Sequence, residues 1–256
     1  MKRIKILNVE LDCITQEELL AQLKKGVLVT PNVDQIVKMQ SDREYYDIVR
    51  RAEWCVCDSK ILYLCSRLLG SPLPEAIPGS SFFPAFCNYH KADMNCKIFL
   101  LGAMEGVAQK AMERINNRIG RSIVVGAYSP SYGFEKKRDE NEEIYRMINS
   151  SGANVVLVGV GCPKQEKWID THKGKMPGVD VWMALGATID FEAGNVKRAP
   201  KIWRNLYMEW FYRFLQEPRR MYKRYFVDDP IFFWYLLKQL LGLYKNPFES
   251  IEDDKR

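Results

Sequence analysis

Four short segments hold the residue types that could do chemistry. They are Thr30-Pro-Asn-Val-Asp-Gln35, Cys57-Asp-Ser-Lys60, Gly159-Val-Gly-Cys-Pro-Lys-Gln-Glu166 and Gly186-Ala-Thr-Ile-Asp-Phe-Glu-Ala-Gly194. Each follows an apolar run with turn-like or small residues. Asp58, between an apolar run and a helix-like stretch, can cap that helix. It can equally serve as a general base, with partial burial raising its pKa. Thr30 and Asn32 offer the same choice: caps, or short and rigidly held partners for sugar hydroxyls. Gly159-Val-Gly161 allows a backbone to approach a phosphate or nucleotide, and it suits close packing as well. Gly186, opening the fourth segment, is a further candidate for substrate contact. Pro163 fits a helix start, and the exposed helix N-terminus that follows would attract a phosphate or polar sugar group.

Metal chemistry has little to work with. There is no Asp-any-Asp triplet, the nearest variant being Asp190-Phe-Glu192, and His90 and His172 are the two histidines. Seven cysteines at 13, 55, 57, 65, 87, 96 and 162 form an odd set, which reads as buried reduced thiols rather than a zinc site or a disulfide framework. Neither a metal nor a cofactor is expected. If the leaving group is a nucleoside diphosphate, its charge must then be neutralised by side chains or backbone. Arg213, Arg220 and Arg224 are spaced i, i+7, i+11, within about 20° on either side of one helical line. Pro218 interrupts that helix, and a solvated or headgroup-facing basic stripe explains the spacing as well.

The elements that must position these groups alternate. Strands are expected at 4–9, 26–30, 54–57, 97–101, 123–128, 155–160 and 179–184. Helices are expected at 16–25, 33–52, 60–69, 106–119, 138–150 and 164–172. Continuous apolar strands alternating with helices imply an α/β domain with a largely parallel, Rossmann-like sheet covered on both faces. Such sheets bind ligands at the carboxyl ends of their strands.

From about residue 200 the strand pattern stops. Residues 197–245 carry eleven Lys/Arg against four acids, which exceeds the whole chain's net +6. Such a segment asks for an anionic partner. Its apolar stretch Ile231–Tyr244 is 14 residues long. As a helix it would reach about 21 Å, short of the roughly 30 Å hydrocarbon core. Basic and aromatic residues together suit a helix lying among lipid headgroups. A helical hairpin packed on the core, or on another subunit in a homo-oligomer, is the alternative. The ordinary balance of 47% apolar and 27% charged residues argues against disorder. The first residues show no secretory signal, so the cytoplasm is expected.

Together these segments resemble the WecG/TagA/CpsF glycosyltransferase family. The matching pieces are residues 30–35, 57–59, 159–168 and 186–200, with Glu-Trp-Phe-Tyr-Arg at 209–213 and Glu-Pro-Arg-Arg at 217–220. The resemblance spans about residues 5–225. It implies a Rossmann-like core performing metal-independent, inverting transfer from a UDP-sugar such as UDP-N-acetylmannosamine. The acceptor would be an undecaprenyl-diphosphate-linked sugar in teichoic acid, capsule or common-antigen synthesis. By position, Asp58 would be the base, and Thr30, Asn32 and Gln165 would line the sugar pocket. Appendage arginines would close over the diphosphate at the membrane. One segment departs from the family. Where it usually reads Glu-Arg-Val-any-Gly-any-Asp, this chain has Glu75-Ala-Ile-Pro-Gly-Ser-Ser81, and Ser59 follows Asp58 in place of glycine. The departure leaves room for an altered acceptor or reduced activity.

The resulting expectation is a catalytic core over 1–196 and a helical, membrane-associating appendage over 197–256. Its partners would be a UDP-sugar, a lipid-linked sugar and the anionic inner membrane surface, with no nucleic acid. Two rivals are a non-catalytic, membrane-recruited UDP-sugar binder and an NAD-type oxidoreductase. The glycine turn here lacks the third glycine of a dinucleotide site.

Overall fold

The computed structural model describes residues 2–196, 200, 203, 209–216 and 218–249, with the backbone alone at Glu209, Trp210, Arg213 and Arg220. Among the described residues six parallel strands form one sheet: β3 (Gly26–Val29), β4 (Trp54–Cys55), β5 (Ile98–Gly102), β6 (Val124–Tyr128), β7 (Val155–Gly159) and β8 (Val181–Ala184), in the order β4-β3-β8-β7-β5-β6. β5, β7 and β8 are buried along their whole length, which is why they read as unbroken apolar runs. Alternate residues feed two cores. Leu28, Leu100, Leu157 and Met183 face one side, and Val29, Leu101, Val158 and Ala184 face the other.

Helices α1 (Gln16–Gln22), α5 (Gly79–Tyr89), α6 (Val107–Ile119) and α9 (Thr188–Ala193) supply the first core. α2 (Val33–Lys38), α3 (Arg43–Arg51), α4 (Lys60–Leu68), α7 (Arg138–Ser151) and α8 (Lys164–His172) supply the second. The connection after β7 leads to β8, and that after β5 leads outward to β6. These opposite directions make a topological switch point between β5 and β7, and ligands of such sheets bind outside the carboxyl ends of the strands there.

Four expectations are corrected. The strand expected over 4–9 is a hairpin, β1 (Arg3–Ile6) antiparallel to β2 (Val9–Asp12), with Ile6 opposite Val9. Its turn carries no glycine. Leu7 sits at φ +54°, and distant groups hold it: the Leu7 N–H donates to Gln239 (2.8 Å) and the Asn8 side chain to the Met39 carbonyl (2.9 Å). The helix expected over 33–52 is two, because the Asp42 carboxylate accepts from Tyr45 N–H (2.9 Å) and starts α3 afresh. α5, with Pro84 inside it, and the six-residue α9 escaped the periodicity reading. Lastly, the apolar C-terminal stretch forms a shorter helix, α12 (Pro230–Leu240). α10 (Glu209–Gln216) and α11 (Pro218–Tyr222) precede it, with a π-helical stretch at Lys223–Asp228 between.

α12 is not wholly peripheral. Phe232 and Leu236 enter the second core, while Phe233, Trp234, Leu237 and Leu240 stay exposed. Beyond it, Tyr244 donates to Gln40 (2.6 Å), and the Asn246 amide donates to the Tyr46 hydroxyl (3.0 Å). Among the described residues no helix is long and apolar enough to cross a membrane.

Candidate active site

The carboxyl ends of β3, β4, β7 and β8 bring the singled-out segments to one edge. Thr30 is buried just past β3. Pro31 accepts from the Asp58 N–H (3.1 Å), clipping the ends of β3 and β4 together. Ser59, not Asp58, caps α4: its hydroxyl accepts from Leu62 N–H (3.2 Å). The half-buried Asp58 carboxylate instead accepts from Gly79 N–H (3.0 Å), at the first residue of α5. It thus lies where a helix N-terminus favours an anion.

Asn32 forms a reciprocal capping box with Gln35. Its side-chain oxygen accepts from Gln35 N–H (3.2 Å) and also from the Arg224 guanidinium (3.1 Å). Arg224 lies in the π-helical stretch and faces Asp229, with Nε to Oδ2 at 3.7 Å. Burial pushes the Asp229 carboxyl up to about 6 despite that guanidinium. A basic side chain of the C-terminal segment therefore reaches the rim where Asn32 and Asp58 sit. The helices bearing Arg213 and Arg220 are present, but both side chains lie outside the described residues.

At the end of β7, Gly159 is there for close approach: an added Cβ would lie 2.6 Å from the Gly186 carbonyl oxygen. Gly161 has φ +90° and Gly186 φ +51°. The Gly161 carbonyl accepts from Gln165 N–H (2.9 Å) as α8 begins. The buried Gln165 side chain turns to β8, where its oxygen accepts from Gly186 N–H (3.1 Å). Its nitrogen donates to Glu166 (2.9 Å), and Gln35 donates to the same Glu166 oxygen (3.5 Å). Burial pushes the Glu166 carboxyl up to about 7. A carboxyl whose folded pKa exceeds the unfolded value of 4.5 loses stability as pH rises from about 4.5 to 7. The cost is on the order of 3 kcal/mol when ionised.

Two acids raised by the sequence lie on the short helix that follows β8. Glu192, on α9, pairs with Arg118 of α6 at 2.6 Å, so it faces a guanidinium. Asp190 lies on the same short helix. Among the described residues no three His, Cys, Asp or Glu side chains gather as metal ligands. Cys55 and Cys57 are buried, and burial pushes the Cys57 thiol up to about 12.

The profile of the Glycosyl transferase WecG/TagA/CpsF family matches residues 4–246. The chain belongs to this family. It is also 27% identical over 245 residues, 92% of each chain, to N-acetylglucosaminyldiphosphoundecaprenol N-acetyl-beta-D-mannosaminyltransferase of Staphylococcus aureus (strain MW2).

Residues 75–81, which the sequence reading set apart, adjoin Asp58. Ile77 donates its N–H to the Cys57 carbonyl (2.6 Å), Ala76 packs against the core, and Ser81 lies in the first turn of α5. Gln35, Glu166 and Asp229 are site neighbours that sequence reasoning passed over. Asn32 followed by Gln35 is a legible capping box. Glu166 reads as an ordinary first-turn helix acid, which hides its burial.

Proposed function

We propose that this family member is an inverting, metal-independent transferase. It would move N-acetylmannosamine or a related sugar from its UDP donor to an undecaprenyl-diphosphate-linked acceptor in cell-envelope polysaccharide synthesis. Asp58 takes the proton from the acceptor hydroxyl as that oxygen attacks the anomeric carbon. The bond from that carbon to the UDP oxygen breaks, and the diphosphate leaves with its electron pair. Thr30, Asn32 and Gln165 hold the sugar, with Gly159, Gly161 and Gly186 lining the approach. Arg213, Arg220, Arg224 and backbone N–H groups meet the leaving charge. The observation that carries this reading is the Asp58 carboxylate held at the first turn of α5, beside the strand end that carries Thr30 and Asn32.

The lipid acceptor calls for a membrane surface. Phe226, Val227, Ile231, Phe233, Trp234 and Leu237 are exposed, as is Lys223, and Lys238 lies over the Trp234 ring at 5.3 Å. Apolar and basic groups side by side suit a segment lying in the headgroup layer. The core over 1–196 would then carry the base and the sugar pocket, and the appendage over 197–256 the membrane contact together with the arginines that meet the diphosphate.

With arginines and backbone N–H groups proposed to meet the leaving charge in place of a metal, transfer should run at full rate in excess EDTA. Activity that collapses with chelator and returns with Mg²⁺ or Mn²⁺ would contradict the proposed mechanism. Ala76 and Ser81 favour one second reading, a UDP-sugar binder without turnover. Donor binding in calorimetry, with no product on any lipid-linked acceptor, would establish it.

A further inference from the structure

Glu166 is a buried acid that the proposed mechanism does not use. One oxygen receives both glutamine amides, and among the described residues the other has no hydrogen-bond partner. The orientation of each amide is determined by its other end. Gly186 N–H can only donate, so the Gln165 oxygen must face β8. Asn32 N–H donates to the Gln35 oxygen (2.9 Å), which likewise turns the Gln35 nitrogen inward. Both nitrogens therefore point at Glu166. The one carboxyl ties together the groups following β3, β7 and β8, three neighbouring strands.

We infer that Glu166 is a positioning residue: by accepting from Gln165 and Gln35, it holds the Gln165 amide and, through Gln35, the Asn32 side chain in the geometry the sugar requires. The inference rests on the transferase reading above. The carboxylate is the stronger acceptor for both amides, so the ionised form is the active one. Other groups facing Glu166 do not compete near neutrality. Burial pushes Tyr45 of α3 well above its ordinary range and Cys162 up to about 12. Lys38 of α2, paired with Asp34 at 2.8 Å, favours the ionised form.

Glu166→Gln keeps the shape but places an N–H₂ where an acceptor is needed, or turns it to the buried position that has no hydrogen-bond partner among the described residues. We expect kcat to fall about 10- to 100-fold, the cost of a slight misplacement of reacting groups, with UDP affinity within about threefold. The melting temperature at pH 8 should hold or rise, since a buried charge is removed. The wild-type rate should climb through about pH 7, and the variant should lose that limb. A merely structural acid would lower the melting temperature and leave the pH profile unchanged. Unchanged kcat, KM and pH profile in the variant would overturn the inference. If the variant does not fold, the wild type decides by NMR of ¹⁵N-glutamine side chains. The Gln35 and Gln165 amides should shift together with a midpoint near 7, and constancy from pH 5.5 to 8.5 would overturn it. A wild type without transfer on any acceptor would sink the transferase reading instead, while the amide titration would still test the Glu166 contacts.

Discussion

Asp58→Asn should lower turnover by about 10²- to 10⁴-fold, the usual cost of removing a general base, while the fold survives. The geometry makes this a clean experiment. The Asn oxygen can still accept from Gly79 N–H, so the clamp between the β4 end and α5 is kept. The Asp58 backbone bond to Pro31 is untouched as well. What is lost is the ability to receive a proton. Steady-state kinetics on a soluble acceptor analogue, paired with a melting curve, measure it. Near-normal turnover with an unchanged melting temperature would reduce Asp58 to a tie that holds the start of α5.

Arg224→Ala should separate catalysis from membrane contact. Arg224 reaches Asn32 from the C-terminal segment, so its loss should cost transfer about 10²-fold, as for the removal of one donor to a developing anion. Liposome binding should fall only about fivefold, the worth of one basic residue near an anionic surface. Arg213→Glu and Arg220→Glu pose the same question for the two arginines whose side chains lie outside the described residues. Membrane binding lost with transfer intact would place these residues on the headgroups and remove the closing-lid idea. Truncation near Pro200 should abolish both activities. It would also strip Phe232 and Leu236 from the second core, at about 1.5–3 kcal/mol each, so the remaining core should be less stable. Point variants in the full chain are the sharper test.

The sheet was legible because its central strands are buried on both faces and read as unbroken apolar runs. The site edge was legible because Thr30, Asn32, Asp58, Gln165 and Gly186 all follow such runs. Three kinds of feature were hidden. The Leu7–Asn8 turn depends on Gln239 and Met39, partners far along the chain. α5 carries Gly79 at its start and Pro84 within, which mask its helical period. Glu166 shows a surface composition, and only the fold buries it beneath two glutamines. Local pattern reveals what a residue's near neighbours decide; the turn and the burial of Glu166 were decided by remote ones, and the α5 period was masked by its own Gly79 and Pro84.

The central claim is sugar transfer by this site, and one assay tests it directly. Purified full-length protein would be given UDP-N-acetylmannosamine and a short-chain N-acetylglucosaminyl diphosphate lipid in EDTA, with the product analysed by mass spectrometry and NMR. The account predicts a disaccharide lipid whose new bond is opposite in anomeric configuration to the donor's, formed by wild type and nearly absent with Asp58→Asn. A product of retained configuration, or equal product from both proteins, would contradict it.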